Sequence, residues 1–530
     1  MAETFVSPGV YVRERDLSNI IPNLSTTVAA IVGYSNQGNV DDITLITNSQ
    51  QFIQEFGEPE IGQYFHYSAL AFLEKGNRLY CKRVVNGALY GGAWIIKDGG
   101  SGANTALTVG MATPEYAAVS GEDILFYIFG KDPGTWNNSI SIRVENTVAA
   151  DFTFDIVVYW TDADGNDTEM ERWNVSRKTQ IDGFGKQQYL ETKINGYSQY
   201  IVVKDNILEA DTVLPTEQAT SLDIAGGLNG SAVTDAEVIA GWDLFANPDN
   251  IDIRIMLNAG YTSTAVQTKM KTVAEGRLDC IAILDIAYSA LTSVSAMVTW
   301  RQTTQNFNSS YCAVYAPWLK IYDQWNDKEV EVPPSGYVGA QIAYNDYVSD
   351  PWFAPAGFNR GLLNILSVTN VFTKGERDTL YAAQINPIQL FRGEGIAIWG
   401  NKTEQTKLSA LSSVNVRRLL ITLEKAISIA LRSYAFEPNN ELTRLRVTAQ
   451  IEQYMDLLSS RGAFQTELGD RGYRVVCDST NNTPATIDAL ELHVDIFIKP
   501  SRAAEYIQLQ TIITTSGASF EELIARNVLL

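Results

Sequence analysis

Residues 411–436, LSSVNVRRLLITLEKAISIALRSYAF, contain neither glycine nor proline, and Glu437-Pro438 closes the run. Proline cannot continue the backbone ladder, so a helix from about Leu411 to Phe436 is expected. Such a helix spans roughly 39 Å, about a domain diameter. Its apolar residues, Leu419, Leu420, Leu423, Ile427, Ala430, Leu431 and Tyr434 among them, cover well over half its circumference. A helix that apolar is buried on more than one side, so it reads as a rigid spine. A short strand, Ile396 to Trp399, precedes it and ends at Gly400. Arg418, Lys425 and Arg432 recur every seven residues and line one side as a narrow basic stripe. No catalytic set lies within the stretch.

A chain of 530 residues is too long for one core, and roughly three or four domains are expected. No apolar run approaches the length that crosses a bilayer, and MAETFVSPGV lacks the basic and apolar regions of a secretory signal. Neither a membrane partner nor export is therefore expected. Cys81, Cys280, Cys312 and Cys477 have no paired spacing, which excludes a CxxC or zinc-ribbon site and fits a reducing compartment. With only His66 and His493 present, no imidazole relay or metal site is expected. The net charge of −21 argues against wrapping nucleic acid. Residues 96–360 hold −17 of it, residues 1–95 hold −3 and residues 361–530 hold −1. A middle that stays in water and ends that meet other protein produce this pattern; so does ordinary solubility charge.

Residues 1–24 read as an arm. Pro8-Gly9 turns the chain, VYVRERD forms a strand headed by Val10, Tyr11 and Val12, and Pro22 interrupts. Fully extended, such an arm reaches roughly 80 Å. A lone strand seeks a sheet edge, on a neighbour or on its own domain. From Thr26 to Val85 the pattern is strand, helix, helix, strand. The first helix is capped by Asn48 or Ser49 and ends at Gly57; the second ends at Gly76. The Gly-rich stretch 87–103 marks a boundary. Beyond it, DFTFDIVVYW places Phe152, Phe154, Ile156, Val158 and Trp160 on one face at period two, and TEMERWNV returns. Asp162, Asp164, Asn166 and Asp167 between them suggest a calcium loop. Gly165 sits fourth instead of sixth, however, and flanking helices are missing, so a hairpin tip is expected.

Around Ala240 strands and helices begin to alternate as in a doubly wound α/β unit. Such units often bind nucleotides. The first turn, Asn258-Ala259-Gly260-Tyr261, carries no phosphate-binding motif, and the chain has no G-x-S-x-G. A nucleotide-using enzyme built on residues 241–330 is the reading these absences weaken. Asp279 and Asp285 flank a buried strand, either as paired acids or as caps and turn formers. After the spine, Glu441 to Arg461 forms a second helix, and YRVVCD, ALELHVDIFIK and EYIQLQTIITT form strands. Ser519 and Glu522 have capping-box spacing. The ending on Val-Leu-Leu reads as a second arm that docks on something apolar, in a neighbour or in its own domain.

The fold class expected is α/β and α+β multidomain. An α/β core is formed by both chain ends, with inserted β-rich and doubly wound α/β domains and extended terminal arms. Residues 1–24 are the N-terminal arm, 25–95 the first part of the core and 96–238 the inserted β-rich outer region. Residues 239–357 are an inserted α/β domain, 358–512 the second part of the core and 513–530 the C-terminal arm.

An ordered series of short motifs resembles the tail sheath proteins of contractile bacteriophages. It begins with Ser7-Pro8-Gly9-Val10-Tyr11 and the FGEP-type helix end at Phe56 to Pro59. Pro133 to Asn138 follows, with Asn137 where the family's PGTWGN has glycine, and then the turn Gly226 to Gly230. The most specific motifs are Val332 to Gly336, Ala354 to Gly357, Ile385-Asn386-Pro387, Ile398 to Thr403, Asn415 to Arg418 and Phe436 to Asn439. Lys402 replaces an arginine of the family's WGxRT, and Arg502 to Ile507 departs from its P-AEFI.

The resemblance implies a structural subunit with no cofactor and no enzymatic activity. Copies stack as rings, typically sixfold, around an inner tail tube protein, with baseplate and tail terminator proteins as further partners. The lattice shortens to drive the tube through the host envelope. The subunit then belongs to the virion and is assembled in the host cytoplasm; the sheath of a bacterial contractile injection particle is the alternative. The resemblance gives the arms a purpose. Val10, Tyr11 and Val12 at one end, and Phe520, Leu523, Ile524, Val528, Leu529 and Leu530 at the other, tie neighbouring subunits. Arg418, Lys425 and Arg432 face the tube, or form a solvated edge, or pair with Glu424 and domain acids.

Overall fold

The computed structural model of the protein describes residues 27–100, 102–115, 123–162, 164–467 and 470–506. Its centre is a nine-stranded sheet. In chain order the strands are β1 (Val28–Gly33), β2 (Thr44–Ile46), β3 (Arg78–Arg83), β4 (Ile255–Leu257), β5 (Ile281–Asp285), β6 (Cys312–Ala316), β7 (Leu362–Leu363), β8 (Ile385–Phe391) and β9 (Gly395–Ile398). They stand in the order β7-β9-β8-β6-β5-β4-β1-β3-β2. The run β3-β1-β4-β5-β6-β8 is parallel, and antiparallel strands close both edges.

Every residue of β1, VAAIVG, is buried, as parallel strands covered on both faces require. Side chains alternate between two cores. Ala29 and Ile31 meet Phe65, Phe72, Val338 and Ile342 from the helices Tyr64–Leu73 and Ser335–Val348. Val28, Ala30 and Val32 belong to the core of the other face, together with Trp242, Val266, Met270 and Leu380 from Asp235–Asp243, Thr264–Arg277 and Lys374–Ala382. The first helix, Ser49–Phe56, has its expected ends: Asn48 accepts the Gln51 N–H, and Gly57 takes a φ of 85°.

Residues 239–357, expected as an inserted α/β domain, have no separate sheet for their parallel strands. β4, β5 and β6 stand between β1 and β8, joining both parts of the core. Short strands buried on both faces need a partner on each edge, and β1 and β8 supply the outer two. The β-rich region forms sheets of its own. The chain leaves and returns at one point, where Ser231 N–H donates to Asn86 O at 2.8 Å.

Two four-stranded antiparallel sheets build the insertion. One holds Gly92–Ile96, Thr105–Ala106, Ile124–Gly130 and Ile201–Asp205; the other holds Ile140–Val148, Thr153–Thr161, Asp167–Ser176 and Leu222–Asp223. Phe126 of one stacks on Phe154 of the other at 5.6 Å. Phe154, Ile156 and Val158 share that core. Phe152 leaves the expected face because its backbone turns there with a φ of 53°.

The spine helix is Val414–Leu431, shorter than expected, with 3₁₀ turns at Ala410–Ser412 and Arg432–Tyr434. The helix Glu441–Ser460 packs beside it through Val447, Ile451, Met455 and Leu458. Strands Tyr473–Val476 and Asp495–Ile498 complete this C-terminal unit. The strand expected in EYIQLQTIITT does not begin at Glu505 or Tyr506; its remainder, and the helix expected at Ser519, lie outside the described residues.

Candidate assembly surfaces

The basic stripe of the spine turns largely inward. Arg418 forks onto Asp346 at 2.7 and 2.5 Å, and the two side chains are 5% and 1% exposed. Lys425 reaches Asp279 at 2.8 Å and Asp252 at 3.5 Å. Arg432 alone of the three keeps an exposed head, 66% accessible and 3.8 Å from Asp249. Of the three alternatives, pairing with domain acids describes Arg418 and Lys425, because acids of the α/β body stand opposite each. Farther along the same seam Arg461 pairs with Asp350 and covers the Trp352 ring at 5.5 Å. Arg417 lies 4.1 Å from the Tyr311 ring and donates to Ser310 Oγ at 2.7 Å. In these ion pairs the cations belong to residues 418–461 and the acids to residues 249–350.

A second feature lies on the outer side of the same unit. Tyr473–Val476 and Asp495–Ile498 pair antiparallel, with Val475 opposite Ile496. Among the described residues this sheet has two strands, so each has one edge without a partner strand. Lys499 N–H donates to Gly472 O at 2.8 Å. Backbone groups alternate in direction along a strand, so the amides of Ile496 and Ile498 point to the open edge. The side chains of Val494, Ile496 and Ile498 face Leu420, Leu423 and Ile427 of the spine across a groove of about 360 Å³. An open edge beside an apolar groove suits an extended segment: its main chain joins the ladder and its alternate side chains enter the groove. The arm residues Val10, Tyr11, Val12, Phe520, Leu523, Ile524, Val528, Leu529 and Leu530 lie outside the described residues.

The remaining candidates have local explanations. At the Asn258–Tyr261 turn, Gly260 N–H donates to Asp285 and Ala259 N–H to Ser335 Oγ, both at 3.0 Å. Ser335 also donates its N–H and hydroxyl to Asp285 at 2.7 and 2.8 Å. The amides a phosphate would need are occupied, and an acid faces them. Asp279 sits in an ionic cluster with Arg254, Arg277 and Lys425, and Asp285, at the end of β5, holds the 258–261 turn and the start of the helix Ser335–Val348. Asp162 Oδ1 accepts the amides of Asp164 and Asn166 at 2.9 and 2.8 Å, closing a hairpin tip. His66 is buried with Nε2 3.1 Å from Phe56 O, and burial pulls its pKa down to about 4. His493 is exposed beside Glu491.

Sequence reasoning did not name Asp252, Asp346 or Asp350 as partners of the basic residues. They lie in separate elements, and the available signal was the charge imbalance between the middle of the chain and its spine.

Two family profiles match in succession. The phage tail sheath protein central domain matches residues 231–404, and the phage tail sheath C-terminal domain matches residues 406–514. Together they cover more than half of the chain. The tail sheath protein of Enterobacteria phage T4 is 32% identical over 323 residues, 57% of this chain and 48% of that protein. That of Vibrio phage KVP40 is 30% identical over 334 residues, 58% of this chain and 48% of that protein. The chain spans about half the length of these curated relatives. Among solved structures, the contracted PVC sheath complex of an extracellular contractile injection system has a TM-score of 0.56 at 17% identity, covering 98% of this chain and 100% of that one. The sheath tail protein from Listeria innocua has a TM-score of 0.58 at 11% identity, covering 86% and 89%. These likenesses concern the fold.

Proposed function

Because this chain belongs to the phage tail sheath protein family, we propose that it is the structural subunit of a contractile bacteriophage tail sheath. Copies stack as sixfold rings around an inner tail tube, between baseplate and tail terminator, in a virion assembled in the host cytoplasm. The lattice shortens to drive the tube through the host envelope. The motive free energy lies in contacts that differ between the extended and contracted lattices.

The observation that carries this reading is the open-edged sheet at 473–498 beside its apolar groove. Strands from the terminal arms of neighbouring copies join its edges. The N-terminal arm brings Val10, Tyr11 and Val12; the C-terminal arm brings Phe520, Leu523, Ile524, Val528, Leu529 and Leu530. Each added backbone hydrogen bond contributes roughly 1 kcal/mol net, enough in sum to hold a joint while the bodies reorient. Arg432, with its exposed head, is the stripe residue we assign to the tube; Arg418 and Lys425 hold the helix behind it.

The sheath of a bacterial injection particle fits the same fold, and the sequence identity to phage proteins favours the phage tail. The test compares the full chain with Ile496→Pro, which removes one outward amide from the edge. Wild type is expected to form helical tubes in negative stain, and the folded variant to remain dispersed. Tubes from both, or a wild type that stays monomeric at high concentration with protease-resistant termini, would sink the reading.

A further inference from the structure

We propose that the C-terminal unit, residues 414–506, is held on the α/β body by a separable ionic joint and swings about the 405–413 connection when that joint opens. Its polarity is the first observation. Arg418, Lys425, Arg432 and Arg461 stand on one side, and Asp249, Asp252, Asp279, Asp346 and Asp350 on the other. Asp252 and Asp279 also pair within the body with Arg254 and Arg277, whereas Asp346 and Asp350 pair across the seam with Arg418 and Arg461, so parting the faces takes those two acids from their cations and favours their return.

The second observation is the core. That of the C-terminal unit is built from its own residues, Leu419, Leu423, Ile427, Val447, Ile451 and Met455 among them, and the body inserts Trp352 into it. Val414 and Ile421 of the spine reach back into the body core and form the pivot. The third observation is the connection. Thr406, Lys407, Leu408 and Ser409 are exposed, between Glu404, whose N–H donates to Cys312 O, and Val414, whose N–H donates to Asn401 O.

A subunit with such a joint can change shape internally. The two lattice lengths are then met by the joint as well as by the arms. This consequence rests on the sheath reading; the joint itself does not, and it is tested without assembly.

The test uses hydrogen exchange and limited proteolysis on the dispersed full chain, on Arg418→Glu, on Asp346→Arg and on the double variant. Each single variant is expected to exchange at least about tenfold faster at 345–353 and 414–427, and to be cleaved faster at 405–410. Protection of β1 and β3–β6 and of the 473–498 ladder should stay unchanged. The double variant, with the pair reversed, is expected to return to within about threefold of wild type. Raising salt to about 1 M should open the wild type in the same sense, because the Lys425, Arg432 and Arg461 pairs are partly exposed. Should Arg418→Glu fail to fold, Lys425→Glu with Arg432→Glu is read by the same criteria. Unchanged exchange, loss of protection throughout the chain at once, or a double variant no better than the singles overturns the joint.

Discussion

Single atoms decide the tightest places in this molecule. A Cβ added at Gly336 would lie 2.5 Å from the Cα and carbonyl oxygen of Ser68, where two helices of the body cross. Backbone cannot yield as a flexible side chain can, so Gly336→Ala is expected to destabilise by about 1–3 kcal/mol, read as a lower melting temperature in calorimetry. Glu404 is fully buried, its carboxylate oxygens lack hydrogen-bond partners, and Arg301 Nε stands 3.6 Å away. Burial pushes its pKa up from 4.5 to about 7. The folded state then keeps a proton that the unfolded chain releases, so this residue lowers stability as pH rises from 4.5 through 7. The loss is about 3 kcal/mol once both states are ionised. Glu404→Gln is expected to raise the denaturation midpoint at pH 8 and to flatten its dependence between pH 5 and 7. His66 acts in the opposite sense: with its folded pKa at about 4 instead of 6.5, its contribution is lost as pH falls through that window. Denaturant titrations of the wild type and Glu404→Gln across pH 4 to 8 separate the two.

At the scale of elements, the C-terminal unit is fastened to the body by one aromatic side chain as well as by charge. Trp352 sits 4% exposed in the unit's core and donates Nε1–H to Arg461 O at 3.2 Å. Trp352→Ala leaves a cavity there and is expected to cost about 3–5 kcal/mol. The loss should be confined to amides of 414–476, with the nine-stranded sheet still protected in hydrogen exchange. The spine itself is shorter at both ends than its composition suggests. Ser409 accepts the Leu411 N–H and a 3₁₀ turn occupies Ala410–Ser412, because the chain must bend where it leaves the body. At the other end Arg432–Tyr434 tightens before the turn to the second helix.

Across the whole molecule, the β sandwich is an appendage whose ends meet. Residues 87–230 carry 9 Lys and Arg against 20 Asp and Glu, net −11, which is most of the acid in the middle of the chain. Entry and exit are joined at Asn86 and Ser231, so a short turn can replace the insertion at little loop-closure cost. Replacing residues 87–230 by a Gly/Ser turn is expected to leave a folded chain. Its circular dichroism should keep the α/β signature, and its tubes in negative stain should be thinner-walled but continuous. A chain that no longer folds would show the sandwich to be integral to the body.

Much of this was legible in the residues. Uninterrupted apolar runs such as VAAIVG marked strands covered on both faces, Asn48 and Gly57 marked a helix's two ends, and the motif series from Phe56 to Asn439 pointed to the family. These are local signals, set by backbone geometry and side-chain periodicity over a few positions. What the tertiary structure decided was pairing. Placing β4, β5 and β6 between strands from both ends of the chain, and turning Arg418 and Lys425 onto aspartates far away in sequence, depends on which buried edges and charges find partners in three dimensions. An unpaired edge or a desolvated charge is costly wherever it falls. Many pairings are compatible with the same local pattern, and only the packed chain selects one.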